Sequence, residues 1–170
     1  MSEQKSNTHV LVINAIVAAI YALLFFILPQ VAWGPIQFRI SEGLNHLNAF
    51  DRRYKWGVVV GVFVANFYGF ATGLGALDLF FGTAHTLISF LICDYAYRFA
   101  KDMKQRLIVD VIVFSLMIFI VGIELYMIGM PFWATYGTLI LSEAIILAIT
   151  APIMFYVNRA VDFKAKMTRR

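Results

Sequence analysis

Long apolar runs separated by short polar turns predict a bundle of helices that cross a membrane. At about 1.5 Å per residue, each run covers most or all of a hydrocarbon core about 30 Å thick. The fold class is therefore all-α, and the chain is predicted to be a polytopic membrane protein with a basic, frayed tail from Asn158. The runs extend from about Val10 to Trp33, Trp56 to Thr72, Leu77 to Tyr97, Leu107 to Gly129 and Phe132 to Val157.

The stretch Ile36–Phe50 is too polar for an ordinary span, although it lies between two apolar runs. Pro35 just before it is a favourable residue for opening a helix. Charge at membrane depth is costly unless it faces a cavity or a partner. The segment is therefore predicted to be a short amphipathic helix that helps to wall a ligand pocket. In α-helical spacing, one face holds Ile36, Ile40, Leu44 and Leu47, and the other holds Arg39, Glu42 and His46 with Asn45 beside them.

An alternative for this segment is that Arg39 and Glu42 only pair with each other at the membrane surface. The positions of the Lys and Arg residues indicate whether the segment crosses the membrane. Every Lys and Arg except Arg39 falls into clusters around Lys5, at Asp51–Lys55, at Arg98–Arg106 and from Arg159 onward. The positive-inside rule places such clusters in the cytoplasm, and all four can lie there only if Ile36–Phe50 crosses the membrane.

That crossing reaches only about 22 Å as an α-helix, so it is predicted to be short and buried by protein. The resulting architecture is a six-helix bundle with a short second helix, a single membrane-embedded domain over residues 1–170, and both termini in the cytoplasm. The composition agrees, because the chain is 61% hydrophobic and only 14% charged, whereas about a quarter of a soluble domain is charged.

Several classes of function are disfavoured by what the sequence contains. Cys93 is the only cysteine, so neither an internal disulfide nor a cysteine-cluster metal site is possible. The chain has no G-x-x-x-x-G-K-[ST], H-E-x-x-H or G-x-S-x-G motif. We therefore predict no catalytic residues, no cofactor, no metal and no nucleic-acid partner. The basic residues are better explained by membrane orientation.

Polar residues from several predicted helices collect in one half of the bundle. Four acids face a single Arg there, which predicts an anionic pocket for a cation or a donor-rich heterocycle. Trp133 and nearby tyrosines offer flat surfaces for a ring. The candidates are Arg39, Glu42, Asn66, Asp78, Glu124 and Trp133 in the outer half, with Glu143 and His85 nearer mid-depth.

Each candidate also has a simpler explanation. A buried Glu can be protonated and bond a neighbouring helix, and Trp or Tyr at a membrane rim often belongs to the interfacial belt. His85 is better explained as a packing or hydrogen-bonding residue than as a metal ligand. Asp94 and Asp110, close to basic loops, are expected to be solvated or paired.

Small residues four apart give two of the runs nearly flat faces, which allow another helix to approach closely. In the third helix these are Gly57, Gly61, Ala65 and Gly69. In the first they are the pairs Ala15/Ala19 and Ala18/Ala22, which serve either docking to a partner membrane subunit or packing within this chain.

Five stretches resemble the QueT family, whose members are substrate-binding S components of energy-coupling factor (ECF) transporters. They are GPIQFRISEGL (Gly34–Leu44), GVFVANFYG (Gly61–Gly69), ALDLFFGTAHTL (Ala76–Leu87), GIEL (Gly122–Leu125) and SEA (Ser142–Ala144). The resemblance implies a six-helix fold in the cell membrane and uptake of a 7-deazaguanine queuosine precursor, such as the 7-aminomethyl form. It also implies a transmembrane T subunit and two ATPase subunits as partners.

With this resemblance, Glu124 and Glu143 are expected to recognise the base edge or the amine. Glu42 paired with Arg39, and Asp78 with Asn66, would shape the pocket, and Trp133 would stack on the ring. The resemblance favours docking of the T subunit on Ala15, Ala18, Ala19 and Ala22, and it assigns no role to His46 or His85. Two alternatives remain: an S component for another small vitamin-like cation, and a stand-alone carrier coupled to protons or ions.

Overall fold

The computed structural model describes residues 2–27, 37–72 and 77–168, and these ranges consist of helices joined by turns and short connections, with no strand. The end of the first predicted run, Leu28–Trp33, lies outside them, as do Pro35 and Ile36. The elements are α1 (Ser2–Ile27), a 3-10 helix (Ile40–His46) that continues into α2 (Leu47–Phe50), a 3-10 turn (Arg52–Tyr54), α3 (Lys55–Thr72), α4 (Asp78–Ala96), α5 (Met103–Met117), α6 (Phe119–Met127), α7 (Phe132–Val161) and α8 (Phe163–Thr168).

Four stretches of the described chain are long and apolar enough to cross a membrane. They are Asn7–Ile27, Asp78–Ala96, Met103–Met127 and Phe132–Val161. Each corresponds to a run predicted from the sequence. The remaining predicted run, Trp56 to Thr72, forms α3. The third stretch comprises α5 and α6, which join at Ile118 with backbone hydrogen bonds continuing across the junction. The all-α prediction is confirmed, whereas the number of crossings and the side of the termini stay predictions.

The helices pack in an order that encloses the short segment after α1. α3 packs against α1 and α4, α5 packs against α4 and α7, and α6 contacts α4 and α7. The 3-10 helix Ile40–His46 contacts α1, α3, α5 and α7. The larger apolar core includes Val58, Phe90, Cys93, Phe114 and Leu147, and a smaller one forms around Ile118, Val121, Leu125 and Leu139.

Large apolar side chains also cover the outside of the bundle. Leu11, Leu23, Phe63, Ile112 and Ile153, from four different helices, are all exposed. Soluble proteins rarely expose so much contiguous apolar surface, whereas a lipid environment favours it. Together with the long apolar helices, this surface indicates a multi-pass membrane protein.

The close approach of α1 and α3 depends on glycine. A Cβ at Gly57 would lie 2.7 Å from the backbone oxygen of Asn14, and a Cβ at Gly61 would lie 2.6 Å from Tyr21 Cβ. The Gly57 amide donates to Asn14 Oδ1 at 2.8 Å. The small-residue face of α3 therefore packs within the chain, against α1.

The described part of the C-terminal tail, up to Thr168, is helical and packs on the bundle, which corrects the expectation of a frayed end there. α7 continues to Val161, and Asp162 then adopts a left-handed conformation (φ 51°) that redirects the chain into α8. Phe163 stacks on Phe50 with ring centroids 5.5 Å apart, and Met167 is buried. Tyr54 donates a hydrogen bond to the Phe163 carbonyl at 2.9 Å. These contacts tie the tail to the bundle despite its basic character.

We expect Gly61→Ala to lower stability by about 1–3 kcal/mol, the usual cost of overpacking a tight contact. The new methyl group would push α3 away from Tyr21 and from the Ala18 carbonyl. Thermal unfolding in detergent measures the effect. Gly137→Ala on α7 is the matched control, because a Cβ there meets nothing within 4 Å. Equal unfolding temperatures for both variants would contradict the assignment of Gly61 to a close contact.

Candidate functional site

The polar segment after α1 lies inside the bundle, and most of it is a 3-10 helix instead of the predicted α-helix. Ile40–His46 has 3-10 geometry, and one α-helical turn, Leu47–Phe50, follows it. A 3-10 helix has 3.0 residues per turn, so residues three apart share a face. Glu42 and Asn45 are aligned in this way, and Asn45 Nδ2 donates to Glu42 Oε2 at 2.6 Å.

This geometry corrects the predicted faces of the segment. His46 does not share a face with Glu42; it bonds to α5 and α7. Gly43, three residues earlier, lies against α7, where a Cβ would stand 2.7 Å from Thr150 Cγ2. Ile40 is 43% exposed, whereas Ser41 and Glu42 are buried. Apart from its first residue, the segment is largely enclosed by protein.

Arg39 pairs with Asp78 on α4. Its Nη2 lies 2.6 Å from Asp78 Oδ2, and both side chains are buried. The sequence predicted Glu42 as the partner of Arg39; the structure instead places the guanidinium on Asp78, while the two Glu42 oxygens accept hydrogen bonds from Tyr21 and Asn45. The alternative of an Arg39–Glu42 pair at the membrane surface is therefore wrong. The guanidinium also stands over the Phe25 ring, 5.6 Å from its centroid.

Glu42 is held between α1 and its own segment. Tyr21, fully buried on α1, donates to Glu42 Oε1 at 2.6 Å, and Asn45 donates to Oε2. Sequence reasoning did not assign Tyr21 or Phe25 to the site. The available signal for Tyr21 was that it is the one tyrosine in the apolar run of α1. Phe25, one turn further on, gave no signal, because it resembles any core residue.

Glu124 on α6 and Glu143 on α7 complete the group of acids, and both are buried. Glu124 interacts electrostatically with Asp78 and Arg39, and Glu143 interacts with Glu42 and Arg39. Within the described chain, three carboxyl oxygens of this group have no hydrogen-bond partner: Asp78 Oδ1, Glu124 Oε2 and Glu143 Oε1. The structure thus brings the four predicted acids together around Arg39, and we call these five residues the carboxyl cluster.

Asn66 on α3 lies beside the carboxyl cluster. Its Nδ2 donates to the backbone oxygen of Asp78 at 3.0 Å, which leaves Oδ1 without a partner among the described residues. Gly82, one turn after Asp78, makes this arrangement possible. A Cβ at Gly82 would lie 2.5 Å from Asn66 Nδ2 and 2.7 Å from Asp78 Oδ1. The structure therefore brings Asn66 and Asp78 together, as the sequence predicted, through a backbone carbonyl.

Trp133 is the predicted site residue that the structure does not bring to the carboxyl cluster. Its side chain is 79% exposed, and its ring packs edge-on against Phe132 at 5.1 Å. Tyr68 and Tyr126 are also exposed. Such positions are typical of the aromatic belt at a membrane interface. A stacking role for Trp133 stays a prediction, and among the described residues the rings of Phe25 and Tyr21 lie at the cluster.

His85 and Asp94 have partners of their own. His85 Nε2 lies 3.2 Å from the Phe114 carbonyl oxygen, which agrees with a hydrogen-bonding role. Asp94 forms ion pairs with Lys55 and, at 3.7 Å, with Arg52, as expected for an acid beside basic residues. Across residues 2–27, 37–72 and 77–168, no three His, Cys, Asp or Glu residues are arranged to hold a metal ion.

A second buried polar network lies at the other end of the short segment. His46 Nδ1 is 3.1 Å from Asp110 Oδ2, and His46 Nε2 is 3.1 Å from the Leu147 carbonyl oxygen. Tyr97 donates its hydroxyl to Asp110 Oδ1. Asp110 was expected to be solvated or paired near the membrane rim; it is paired and fully buried. No role for His46 could be predicted from the sequence, because its partner lies 64 residues away.

The four alanines proposed for docking divide between two surfaces of α1. Ala18 and Ala22 are buried in the bundle, and the Ala18 carbonyl lies against Gly61 of α3. These two residues pack within the chain, which was the alternative explanation. Ala15 and Ala19 are exposed. Only this second pair is available to another subunit, and docking there stays a prediction.

Comparison with known proteins agrees with the resemblance seen in the sequence. The model of the QueT transporter family matches residues 11–159. A relative named "Queuosine precursor transporter QueT", from Lactococcus lactis subsp. cremoris (strain MG1363), is 34% identical over 169 residues, covering 94% of this chain and 98% of the relative. No solved structure matches the chain. The chain belongs to the QueT transporter family.

Proposed function

We propose that the chain is the substrate-binding membrane subunit of an ECF-type importer and that it takes up a 7-deazaguanine queuosine precursor, such as 7-aminomethyl-7-deazaguanine. The observation that carries this proposal is the set of unpartnered carboxyl oxygens on Asp78, Glu124 and Glu143 around the buried Arg39. Buried polar atoms normally have hydrogen-bond partners, and exceptions call for an explanation. A ligand that donates hydrogen bonds supplies one.

The charge of the carboxyl cluster favours a cation. Arg39 is paired with Asp78, which leaves Glu42, Glu124 and Glu143 without a matching cation in the cluster. Burying ionised carboxylates without a counter-charge is costly, so such groups either keep protons or bind a cation. The aminomethyl group of the precursor is positively charged. It would therefore provide the charge that the cluster lacks.

The unpartnered atoms also favour a ligand rich in donors. Besides the three carboxyl oxygens, the amide oxygens of Asn45 and Asn66 have no partner in the described part of the chain. Amide oxygens and ionised carboxylates accept hydrogen bonds and do not donate them. A carboxylate accepts two parallel hydrogen bonds, which matches the guanine-type edge of a 7-deazaguanine. We propose that Glu124 and Glu143 bind this edge or the amine.

The relative from Lactococcus lactis carries a matching name, since it is described as a transporter for a queuosine precursor. The chain has no P-loop of its own, so uptake against a gradient needs energy from elsewhere. We propose that a T subunit with two ATPases supplies it in the cell membrane. The docking surface would be the Ala15/Ala19 face of α1, beside a groove of about 390 Å³ that Trp56 and Val60 help to line.

The first test is calorimetric binding to the purified protein in detergent. We expect 7-aminomethyl-7-deazaguanine to bind tightly, guanine to bind more weakly because it lacks the ammonium group, and thiamine not to bind. A folded protein that ignores the deazaguanine would contradict the proposed substrate. Preferential binding of thiamine would instead support an S component for another vitamin-like cation.

Glu124→Gln and Glu143→Gln are each expected to weaken binding about a hundredfold, the effect of losing a charged hydrogen bond worth about 3 kcal/mol. Both changes keep the shape of the side chain and remove its charge. Ser142→Ala is the control on α7, because the buried Ser142 hydroxyl bonds to carbonyls of its own helix. Wild-type affinity in both glutamine variants would refute the site.

Docking on α1 is tested by enlarging its exposed small residues. We expect Ala15→Leu and Ala19→Leu to bind the precursor normally but to abolish ATP-dependent uptake in proteoliposomes that contain the T and ATPase subunits. Ala134→Leu is the control, since Ala134 is exposed on α7 and undergoes the same change in size. Uptake by the chain alone, lost when the proton gradient is collapsed, would favour the stand-alone carrier.

A further inference from the structure

We infer that His46, Asp110 and Tyr97 are positioning residues for the proposed binding site. They do not belong to the carboxyl cluster. They fix the orientation of the Ile40–Phe50 segment about its own axis. This orientation places Glu42 and Asn45 in the site. The part of this inference that concerns ligand affinity rests on the proposed function, whereas the part that concerns the segment does not.

The segment needs such support because its own backbone geometry is weak. Seven residues of 3-10 helix are followed by a single α-helical turn. Hydrogen bonds in a 3-10 helix are poorly aligned, and runs longer than three or four residues are uncommon. Helices this short are not stable on their own in water. Tertiary contacts must therefore decide which way each face of the segment points.

The contacts around His46 form a closed ring. His46 Nδ1 meets Asp110 Oδ2 on α5 at 3.1 Å, and Tyr97, just after α4, donates to the other Asp110 oxygen. Asn48 Nδ2 then approaches the Tyr97 hydroxyl at 3.5 Å. His46 and Asn48 both belong to the short segment, so the ring is attached to it at two points. Two attachments resist rotation about the axis of the segment, which a single hydrogen bond does not.

The donors and acceptors of the ring also fit together. The Leu147 carbonyl can only accept, so His46 Nε2 must carry a hydrogen. Asp110 Oδ1 accepts from Tyr97, and the contact between His46 Nδ1 and Asp110 Oδ2 holds one further proton between them. Arg106 adds to the arrangement, because it donates to the Ala49 carbonyl at 3.3 Å and covers the Tyr97 ring at 5.5 Å.

Rotation of the segment would reach the binding site directly. Glu42 lies just over one 3-10 turn before His46, and Asn45 is the adjacent residue. If the segment rotated, the Glu42 carboxylate would move away from the Tyr21 hydroxyl and lose the hydrogen bond that it accepts at 2.6 Å. Loss of the ring would therefore displace Glu42 and Asn45 even though no residue of the carboxyl cluster is substituted.

Tyr97→Phe and Tyr54→Phe form a matched pair for the test. Each removes one hydroxyl from a buried tyrosine, but Tyr54 bonds to the Phe163 carbonyl of the tail and not to the ring. We expect Tyr97→Phe to raise the Kd for 7-aminomethyl-7-deazaguanine about tenfold, the effect of one buried hydrogen bond, and Tyr54→Phe to leave it unchanged. Equal Kd values for the two variants would overturn the inference.

Amide hydrogen exchange supplies a readout that needs no ligand. Backbone amides of residues 40–50 should exchange faster in Tyr97→Phe than in Tyr54→Phe, while the middle of α4 and α5 stays protected in both. If wild-type protein fails to bind the deazaguanine, the proposed substrate is wrong, yet this exchange still tests the positioning role. Unchanged exchange over residues 40–50 would refute that role even if the precursor binds.

Asp110→Asn separates geometry from charge. The amide that this substitution introduces can donate to His46 Nδ1 and accept from Tyr97, so the ring persists with a neutral histidine. We expect Asp110→Asn to retain near-wild-type affinity and Asp110→Leu to lose about tenfold or more, since it removes both contacts. Thermal unfolding confirms that each variant is folded. If Asp110→Asn is as defective as Asp110→Leu, the role is electrostatic and the inference of positioning is wrong.

Discussion

Burial of a single guanidinium organises the inside of this protein. Arg39 stays charged at any physiological pH, so burying it requires carboxylates that are buried beside it and balance its charge. Asp78 forms an ion pair with it, and Glu42, Glu124 and Glu143 lie nearby on three other elements. Removing one partner from a buried ion pair typically costs about 3–5 kcal/mol, because the remaining charge is left unpaired. The positions of the 3-10 helix, α4, α6 and α7 are thereby linked through one side chain.

Much of this arrangement could be predicted from the sequence, because the signals were strong and local. The apolar runs gave the helices, since only a membrane or a large core accommodates them. Asp78, Glu124 and Glu143 were identifiable as site candidates because ionisable residues in such runs are rare and costly. Gly57 and Gly61 indicated a close helix contact by their four-residue spacing, and the structure shows it between α1 and α3.

What could not be predicted depended on geometry that spacing alone does not reveal. The polar segment was placed on an α-helical wheel, whereas its 3-10 geometry moves His46 to the side that faces α5 and α7. The sequence does not reveal which acid pairs with Arg39; the structure pairs Arg39 with Asp78, whereas Glu42 accepts a hydrogen bond from Tyr21 on α1. Phe25 has the sequence character of an ordinary core residue. Trp133 has the character of a ligand-stacking residue, but it lies at an exposed position.

The 3-10 helix also sets a constraint on chain length. Each residue in it turns the chain by about 120°, since three residues complete a turn. Deleting or inserting one residue between Glu42 and His46 would therefore rotate one end against the other by a third of a turn. Glu42 and His46 could then no longer reach Tyr21 and Asp110 at the same time. Members of the family are thus expected to vary in residue type within this segment more readily than in its length.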